Sequence, residues 1–210
     1  MGALRSLDDR LFFAVNSLAR HTSGLHQIVV GYAEYGVVLF GLLLTAGLIL
    51  ARSRDSRTLA ASGWAAVAAL IALAVNQPLT HLFHEARPYV THPHVLLLVS
   101  RSPDFSFPSD HTVMAGAVAA GLLLVSRPLG WLAVAAAALM AFARVYVAAH
   151  YPWDVLAGLI LGASVTGLGW LAFRVPLTAL SAWLRRQPIL RVGFAPAAPD
   201  TAPTTPDAGS

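Results

Sequence analysis

The sequence predicts an all-α protein, a polytopic bundle of transmembrane helices, and its composition supports this. Hydrophobic residues make up 57% of the 210 residues and charged residues only 11%, whereas soluble domains carry about 25% charged residues. Several apolar runs approach the roughly 20 residues that a helix needs to cross the hydrocarbon core. The chain contains no cysteine, which excludes disulfides and thiol chemistry.

The N-terminal segment, residues 4–20, is predicted to form an amphipathic helix that lies at the membrane interface. Its apolar residues recur at helical spacing, at Leu7, Leu11, Phe12, Val15 and Leu18. The segment is too short and too polar to span a bilayer easily. If it does cross the membrane, the number of spans rises from five to six.

Five apolar runs follow this helix and are predicted to span the membrane. They cover residues 28–51, 59–82, 112–126, 129–149 and 155–173. Towards its end the chain turns to Ala, Pro, Thr and Asp, a composition that is typical of disorder. We therefore expect residues 1–190 to form the membrane-embedded domain and residues 191–210 to form a disordered cytoplasmic tail.

The placement of arginine predicts the orientation of the bundle. The chain has no lysine and a net charge of +4, which in so apolar a chain indicates topology rather than a nucleic-acid partner. One side of the five-span arrangement holds Arg52, Arg54, Arg57, Arg127, Arg174, Arg185 and Arg186. The positive-inside rule makes that side cytoplasmic, so the loop after the second span and residues 144–154 should share the outer face.

Ionisable residues lie where the fourth and fifth spans meet. Arg144, His150 and Asp154 follow one another within eleven residues, although a charge at membrane depth costs roughly 2.5–3.5 kcal/mol. Pro152 should end one helix and start the next, which places Asp154 in a first helical turn, near His150. An aspartate beside a histidine can fix its tautomer and stabilise its cationic or phosphorylated form.

Two further polar stretches should reach the same face. In the first, Thr80, His84 and Arg87 share one side if the helix continues through them. In the second, Ser109 is a good N-cap, and the helix N-terminus that follows it, with His111 in its first turn, is an anion site. Arginine side chains such as those at 87 and 144 offer planar donor forks for phosphate oxygens. The sequence therefore predicts a phosphate-handling pocket.

These residues form a pattern that resembles the type 2 phosphatidic acid phosphatase superfamily. The matching motifs are Arg87-Pro88, Pro108-Ser109-Asp110-His111, and Arg144 followed by His150 and Asp154. The Ser-Asp-His form of the second motif, in a small chain, resembles the bacterial undecaprenyl-diphosphate phosphatase branch. The resemblance implies an acid-phosphatase/haloperoxidase-like core and a mechanism that needs no metal and no cofactor.

The same resemblance implies a role for each matching residue. His150 would be the nucleophile that becomes phosphohistidine, and Asp154 would orient it. His111 would protonate the leaving oxygen and then activate water. The phosphoryl group would be held by Arg87, Arg144 and Ser109.

Three positions depart from the family's motifs. Thr80 stands where the first motif has lysine, so His84 or His81 is expected to supply the missing donor. Ala143 stands where the third motif opens with serine. Asp110 replaces glycine; its backbone N–H can still bind phosphate, provided that its side chain turns away from the anion.

Other polar residues in the spans have structural interpretations. Glu34, Tyr35, Asn76 and Gln77 are expected to be interhelical hydrogen-bond partners, although contact with the pocket is an alternative. The histidines of the outer loop lack the neighbouring carboxylates of a metal site, so no metal is predicted. The abundant Gly and Ala in the last three spans indicate close helix packing.

We therefore expect a multi-pass lipid phosphatase of the bacterial inner membrane with its active site on the outer face. Its substrate would be a lipid phosphate, with undecaprenyl diphosphate converted to undecaprenyl phosphate. Alternative substrates for the same reaction are phosphatidic acid and phosphatidylglycerol phosphate. An alternative reaction is transfer of the phosphoryl group to another lipid. A transporter of phospholipids or polyprenyl phosphates is the alternative from another class, but it has no need of the pair formed by His150 and Asp154. The oligomeric state is not predicted.

Overall fold

Helices make up the regular structure throughout the computed structural model, which describes residues 2–187, with side chains from residue 5 onward. In chain order they are α1 (Gly2–His21), a 3₁₀ turn (Ser23–Leu25), α2 (His26–Arg52), α3 (Ser56–Phe83), α4 (Pro88–Thr91), α5 (Asp110–Val125), α6 (Arg127–Tyr146) and α7 (Pro152–Arg186). The described residues contain no strand, so the prediction of an all-α fold is confirmed. The tail expected at 191–210 lies outside the described residues.

Within the described residues, four segments are long and apolar enough to cross a membrane, which confirms a multi-pass membrane protein. They are Ser23–Arg52, Ser56–Thr91, Arg127–Tyr146 and Pro152–Arg186. The fifth apolar helix, α5, has only 16 residues, or roughly 24 Å at 1.5 Å per residue. That is shorter than a typical hydrocarbon core of about 30 Å. The count of five spans therefore stays a prediction.

Helices α3, α5 and α7 pack together through small residues, as the sequence predicts. A Cβ atom on Gly162 of α7 would overlap the carbonyl oxygen of Val113, and one on Gly116 of α5 would overlap the backbone at Leu159. A Cβ on Gly121 would likewise meet the Ala65 side chain of α3. These glycines let the backbones approach closely, and the three helices hold the site residues at one end of the bundle.

The turn between α6 and α7 differs in length from the predicted one. Helix α6 ends at Tyr146, whereas the fourth span was expected to continue to residue 149. A turn over residues 147–151 follows, with Ala148 in the left-handed region at a φ of 60°. Helix α7 begins at Pro152, as expected, and runs to Arg186, well beyond the predicted end at residue 173.

The N-terminal helix α1 packs against the rest of the protein through a mixed face that buries Phe12 and Ala19 together with two polar side chains. Asp8 and Asn16 are buried, while Leu7, Leu11 and Leu18 are exposed. The Asp8 carboxylate accepts a hydrogen bond from the backbone N–H of Trp153 at 3.0 Å, and the Asn16 amide exchanges two bonds with the backbone of Leu96. Helix α1 is not among the four candidate spans. Its outward apolar face fits the predicted position at the membrane interface.

Candidate active site

A cavity of about 460 Å³ lies at the end of the bundle where α5 and α7 begin. Five of the residues that the sequence predicts line it: Arg87, Asp110, His111, Arg144 and His150. They come from the loop after α3, the first turn of α5, the last turn of α6 and the turn before α7. The fold thus brings together residues that are up to 63 positions apart, as between Arg87 and His150.

The ring of His150 is buried and held in one orientation. Its Nδ1–H donates to the carbonyl oxygen of Ser106 at 2.8 Å, because a carbonyl can only accept. On the other side of the ring, Nη1 of Arg87 lies 3.4 Å from Nε2, so Nε2 is the nitrogen without a proton. Burial first, and then the cations of Arg144 and Arg87, hold the pKa of His150 well below its ordinary value. The imidazole is therefore neutral near pH 7.

Asp154 lies near His150, as expected, but its hydrogen bonds are made to Ser106 and Tyr151. Its Oδ2 lies 3.6 Å from the histidine Nδ1, whereas it accepts a hydrogen bond from the Ser106 hydroxyl at 2.5 Å and from the Tyr151 backbone N–H at 2.8 Å. The reason is that the loop before α5 inserts Ser106 between the two side chains. Ser106 thus links Asp154 to His150 through hydrogen bonds, and Asp154 does not line the cavity.

The guanidinium of Arg87 is fixed by backbone carbonyls. Its Nε donates to the Asp104 carbonyl at 2.9 Å and its Nη1 donates to the Ala149 carbonyl at 3.3 Å. Among the described residues, no carboxylate pairs with it. Its positive charge is thus positioned at the cavity without being neutralised, which suits an anionic ligand.

Arg144 keeps an unused donor. Its Nη1 donates to the Ala33 carbonyl of α2 at 3.2 Å, but its buried Nε has no hydrogen-bond partner within the described part of the chain. A buried polar group without a partner costs about 1–3 kcal/mol. Such a group at a cavity wall is accounted for if a ligand supplies the partner.

Ser109 occupies the N-cap position of α5 but does not cap the helix with its side chain. The hydroxyl is fully buried and has no partner among the described residues, and Ser109 does not line the cavity, although both of its neighbours, Pro108 and Asp110, do. The N-terminus of α5 itself faces the cavity, since His111 lines it. This helix end offers the positive dipole that the sequence predicts.

The Asp110 side chain is turned towards α3. Its Oδ1 accepts hydrogen bonds from the Asn76 amide at 2.6 Å and the Gln77 amide at 3.3 Å. The Asn76 amide also donates to the Pro108 carbonyl at 3.1 Å. Asn76 therefore joins α3 to the loop before α5, as its interpretation as a structural hydrogen-bond partner predicts. Gln77 and Glu34 line the cavity as well.

His84, like Ser109, is a predicted binding residue that does not line the cavity. Helix α3 ends at Phe83, and His84 takes a left-handed conformation with a φ of 49°, so the helical stripe shared with Thr80 and Arg87 does not continue through it. Its exposed ring packs against Phe105, with the ring centroids 4.6 Å apart. Thr80 and His81 line the cavity in its place.

Ser106 is the site residue that sequence reasoning missed. It makes both the carbonyl contact to His150 and the hydroxyl contact to Asp154, and its own N–H donates to the Glu85 carbonyl at 2.8 Å. It lies 44 residues before the histidine in sequence, and nothing in the spacing relates the two. Within residues 2–187, no cluster of three or more His, Cys, Asp or Glu side chains has the arrangement of a metal site.

Together these groups can bind a phosphoryl anion and attack it. Two arginines and a helix N-terminus neutralise charge, which is the main requirement of phosphoryl transfer. A neutral imidazole with its Nδ1 proton held elsewhere offers Nε2 as a nucleophile. A second imidazole, that of His111, is available for proton transfer.

Comparison with known proteins agrees with this chemistry. Residues 61–176 match the PAP2 superfamily. The chain is 34% identical over 164 residues to the undecaprenyl-diphosphatase BcrC of Bacillus subtilis, covering 78% of this chain and 81% of that protein. It is 33% identical over 155 residues to the decaprenylphosphoryl-5-phosphoribose phosphatase of Mycobacterium tuberculosis, covering 72% and 82%.

A solved structure has the same fold. It is the crystal structure of a PAP2-type phosphatidylglycerolphosphate phosphatase from Bacillus subtilis, which aligns with a TM-score of 0.60 at 22% sequence identity. The alignment covers 89% of this chain and 90% of that chain. At this identity the likeness concerns the arrangement of helices, and it extends over nearly the whole bundle.

Proposed function

Because the chain belongs to the PAP2 superfamily, we propose that it hydrolyses undecaprenyl diphosphate to undecaprenyl phosphate through a phosphohistidine intermediate. This family is the type 2 phosphatidic acid phosphatase superfamily that the motifs resemble, so that prediction is confirmed. The chain is a membrane-embedded lipid phosphatase. The substrate and the route of the reaction are the proposal.

The observation that carries the mechanism is the bonding of the His150 ring. The Ser106 carbonyl holds the Nδ1 proton, which leaves the lone pair of Nε2 on the side of Arg87 and the cavity. A histidine that served only to bind an anion would instead need a proton on the nitrogen that faces it. The bound tautomer therefore supports nucleophilic attack.

In the first step, Nε2 of His150 attacks the terminal phosphorus, and a P–N bond forms as the bridging P–O bond breaks. Arg87 and Arg144 neutralise the equatorial oxygens, since charge on these oxygens is what the protein must stabilise in phosphoryl transfer. His111 donates its proton to the leaving oxygen. The products are phosphohistidine and the lipid monophosphate.

In the second step, water attacks the phosphorus of the phosphohistidine. His111, now without its proton, accepts one from the water. The P–N bond breaks, inorganic phosphate leaves and Nε2 regains its lone pair. Asp154 supports the cationic charge on the ring through Ser106, which accepts the Nδ1 hydrogen bond and donates to the carboxylate.

The proposed substrate rests on the relative from Bacillus subtilis, whose name is undecaprenyl-diphosphatase. A cavity of about 460 Å³ is within the usual range of ligand pockets, about 300–1,000 Å³, and it is lined by polar groups suited to a diphosphate. The lipid tail would lie among the exposed apolar side chains of the helices. The arginines at the opposite end of the bundle support an active site on the outer face of the bacterial inner membrane.

A polyprenylphosphoryl sugar phosphate is the second candidate substrate. The relative from Mycobacterium tuberculosis is named for such a lipid and is nearly as similar as the first. Both substrates would place the reacting phosphate against Arg87 and Arg144. The two substrates differ in the leaving group, and therefore in the space that the cavity must provide beside His111.

The test is phosphate release by the full chain purified in detergent, with undecaprenyl diphosphate, a polyprenylphosphoryl sugar phosphate and phosphatidic acid as separate substrates and excess chelator present. We expect turnover to be fastest with the diphosphate and to fall by at least about 10⁴-fold in His150→Ala, because the nucleophile is removed. Acid-labile, base-stable labelling from a ³²P-labelled diphosphate should appear in the wild type and be absent from the variant.

His84→Ala is the matched control, because it removes a histidine that lies outside the cavity. Its turnover should stay within about twofold of the wild type, as for a surface substitution. Release from none of the lipids by folded protein would contradict hydrolysis and favour phosphoryl transfer to another lipid. Full turnover in His150→Ala would contradict the phosphohistidine route.

A further inference from the structure

A second cavity lies at the end of the bundle opposite the active site. It has a volume of about 520 Å³. We call it the distal groove, and it is lined by Arg57, Arg174, Val175, Thr178, Ala179 and Ala182. It lies between the start of α3 and the final third of α7, and none of its residues takes part in the proposed chemistry.

The distal groove lies at the level of the lipid headgroups on the side of the membrane opposite the active site. Helix α7 starts beside the active site at Pro152, and Arg174 follows 22 residues later, or roughly 33 Å along the axis at 1.5 Å per residue. The hydrocarbon core is about 30 Å thick. Arg57 in the first turn of α3 lies at the same level, because Thr80 near the other end of that helix lines the active-site cavity. The two arginines therefore meet the membrane at its opposite interface.

The charge of the groove is not neutralised by the protein. Within the described residues neither Arg57 nor Arg174 forms an ion pair. The nearest acidic residue in sequence, Asp55, uses one carboxylate oxygen to accept from the Thr58 N–H at 2.9 Å and the other to accept from the Thr58 hydroxyl at 2.8 Å. Its carboxylate is thus committed to capping α3.

The remaining walls are apolar. Val175, Ala179 and Ala182 recur at intervals of three or four residues, so they form one stripe along α7. Val175 is 73% exposed. The stripe follows Arg174 along α7 and therefore runs away from the hydrocarbon core. The two cations at headgroup depth are thus the feature that matches a phospholipid, whose anionic headgroup would lie between the guanidiniums.

We propose that the distal groove binds the headgroup of an anionic glycerophospholipid, whose phosphodiester is held by Arg57 and Arg174. The site is independent of the lipid on which the enzyme acts. It would anchor α3 to α7 at the end of the bundle away from the chemistry. A zwitterionic lipid is disfavoured, because its second charge is a cation that would face the arginines.

The test is native mass spectrometry of the full chain in detergent, with phosphatidylglycerol or phosphatidylcholine added. We expect one phosphatidylglycerol to stay bound under activation that strips phosphatidylcholine. In the double variant Arg57→Gln/Arg174→Gln its affinity should fall about 30-fold, since a basic residue near anionic lipid contributes about fivefold. The matched control, Arg54→Gln/Arg127→Gln, removes the same charge from the same end outside the groove and should retain the lipid.

Each result decides the proposal. Equal retention of the two lipids by the wild type, or equal loss in both double variants, would overturn it, because the arginines would then act only through the general charge of that face. Phosphatidylglycerol that stays bound to Arg57→Gln/Arg174→Gln would place the lipid elsewhere, the active-site cavity included. Turnover of that variant within about twofold of the wild type ensures that the fold is intact, and it does not depend on which lipid is the substrate.

Discussion

The two sides of the active-site cavity are held in different ways. On the nucleophile side, His150 has a bonding partner at each ring nitrogen, and Asp154 accepts two hydrogen bonds. On the phosphate side, the buried Nε of Arg144 has no partner within the described residues, and neither does the hydroxyl of Ser109 next to the cavity. The polar groups of the nucleophile side are thus paired within the protein, whereas these two donors are not.

Because of this difference, substitutions on the two sides should affect stability and activity differently. A hydrogen bond to a charged group contributes about 1.5–3 kcal/mol, and a buried group without a partner costs a similar amount. Removing a bonded group such as the Ser106 hydroxyl should therefore lower both stability and turnover. Removing an unbonded group should lower turnover and leave stability unchanged or raised.

Arg144→Met should have the largest effect on the phosphate side. Methionine keeps most of the volume but removes the charge that neutralises the phosphoryl oxygens, so kcat/KM should fall about 10³-fold. The unfolding temperature in detergent should change little, because the loss of a buried cation without an ion-pair partner offsets the loss of its hydrogen bond to the Ala33 carbonyl. Arg10→Met, on the exposed side of α1, is the matched control for loss of an arginine. A lower unfolding temperature with normal turnover would show that Arg144 is structural.

Ser106→Ala tests the nucleophile side. The backbone carbonyl that holds His150 remains, but the hydrogen bond to Asp154 is lost, and we expect kcat to fall about 10- to 100-fold with little change in KM. The free energy of unfolding should fall by about 1–3 kcal/mol. Ser62→Ala removes another buried serine, one that donates only to the Leu59 carbonyl, and should leave kcat unchanged. Normal kcat in Ser106→Ala would mean that Asp154 acts on the histidine without the serine.

Ser109→Ala determines to which side this residue belongs. If its hydroxyl donates to bound phosphate, kcat/KM should fall about tenfold while the unfolding temperature does not fall, because the free hydroxyl has no bond to lose. Phosphate release and thermal unfolding measured on the same preparation compare the two effects. A variant with full activity would remove Ser109 from the phosphate site and leave it as the residue at the start of α5.

The helices and the composition of the site were predictable for physical reasons. Apolar runs of the length of a bilayer have few alternatives to a helix, and ionisable residues such as Arg144 and His150 are too costly near the membrane to lack a use. These arguments depend on local sequence alone. They located both arginines that line the cavity, two of its three histidines, His111 and His150, and small residues at which the helices pack closely.

The contacts that were missed depend on chain geometry. The bond between Ser106 and His150 joins a loop to a turn across 44 residues, and no periodicity relates the two positions. His84 was placed in the pocket by extending α3 one turn too far, since the left-handed conformation at its end reverses the direction of the side chain. Helix α5 has only 16 residues, and most of them are buried among its neighbours. That burial is a property of the assembled bundle.

The smallest expected effect on turnover is that of Asp8→Asn, which tests how α1 is attached to the nucleophile side. Burial raises the pKa of Asp8 to about 6, although the hydrogen bond from the Trp153 N–H opposes this. The folded state therefore holds the proton more tightly than the unfolded state, so this group favours folding below about pH 4 and loses that contribution as the pH rises through 6. Asparagine keeps an acceptor for Trp153 and removes the charge.

The variant should accordingly be more stable than the wild type at pH 7.5, by at most about 3 kcal/mol, and equal to it near pH 4, with turnover within about twofold. Thermal unfolding in detergent at both pH values measures this, and Asp9→Asn controls for the loss of one charge from the same helix. A variant less stable than the wild type at pH 7.5 would mean that the carboxylate charge itself holds α1 to the N-terminus of α7. In that case the attachment would follow the electrostatics of the helix end rather than the cost of burial.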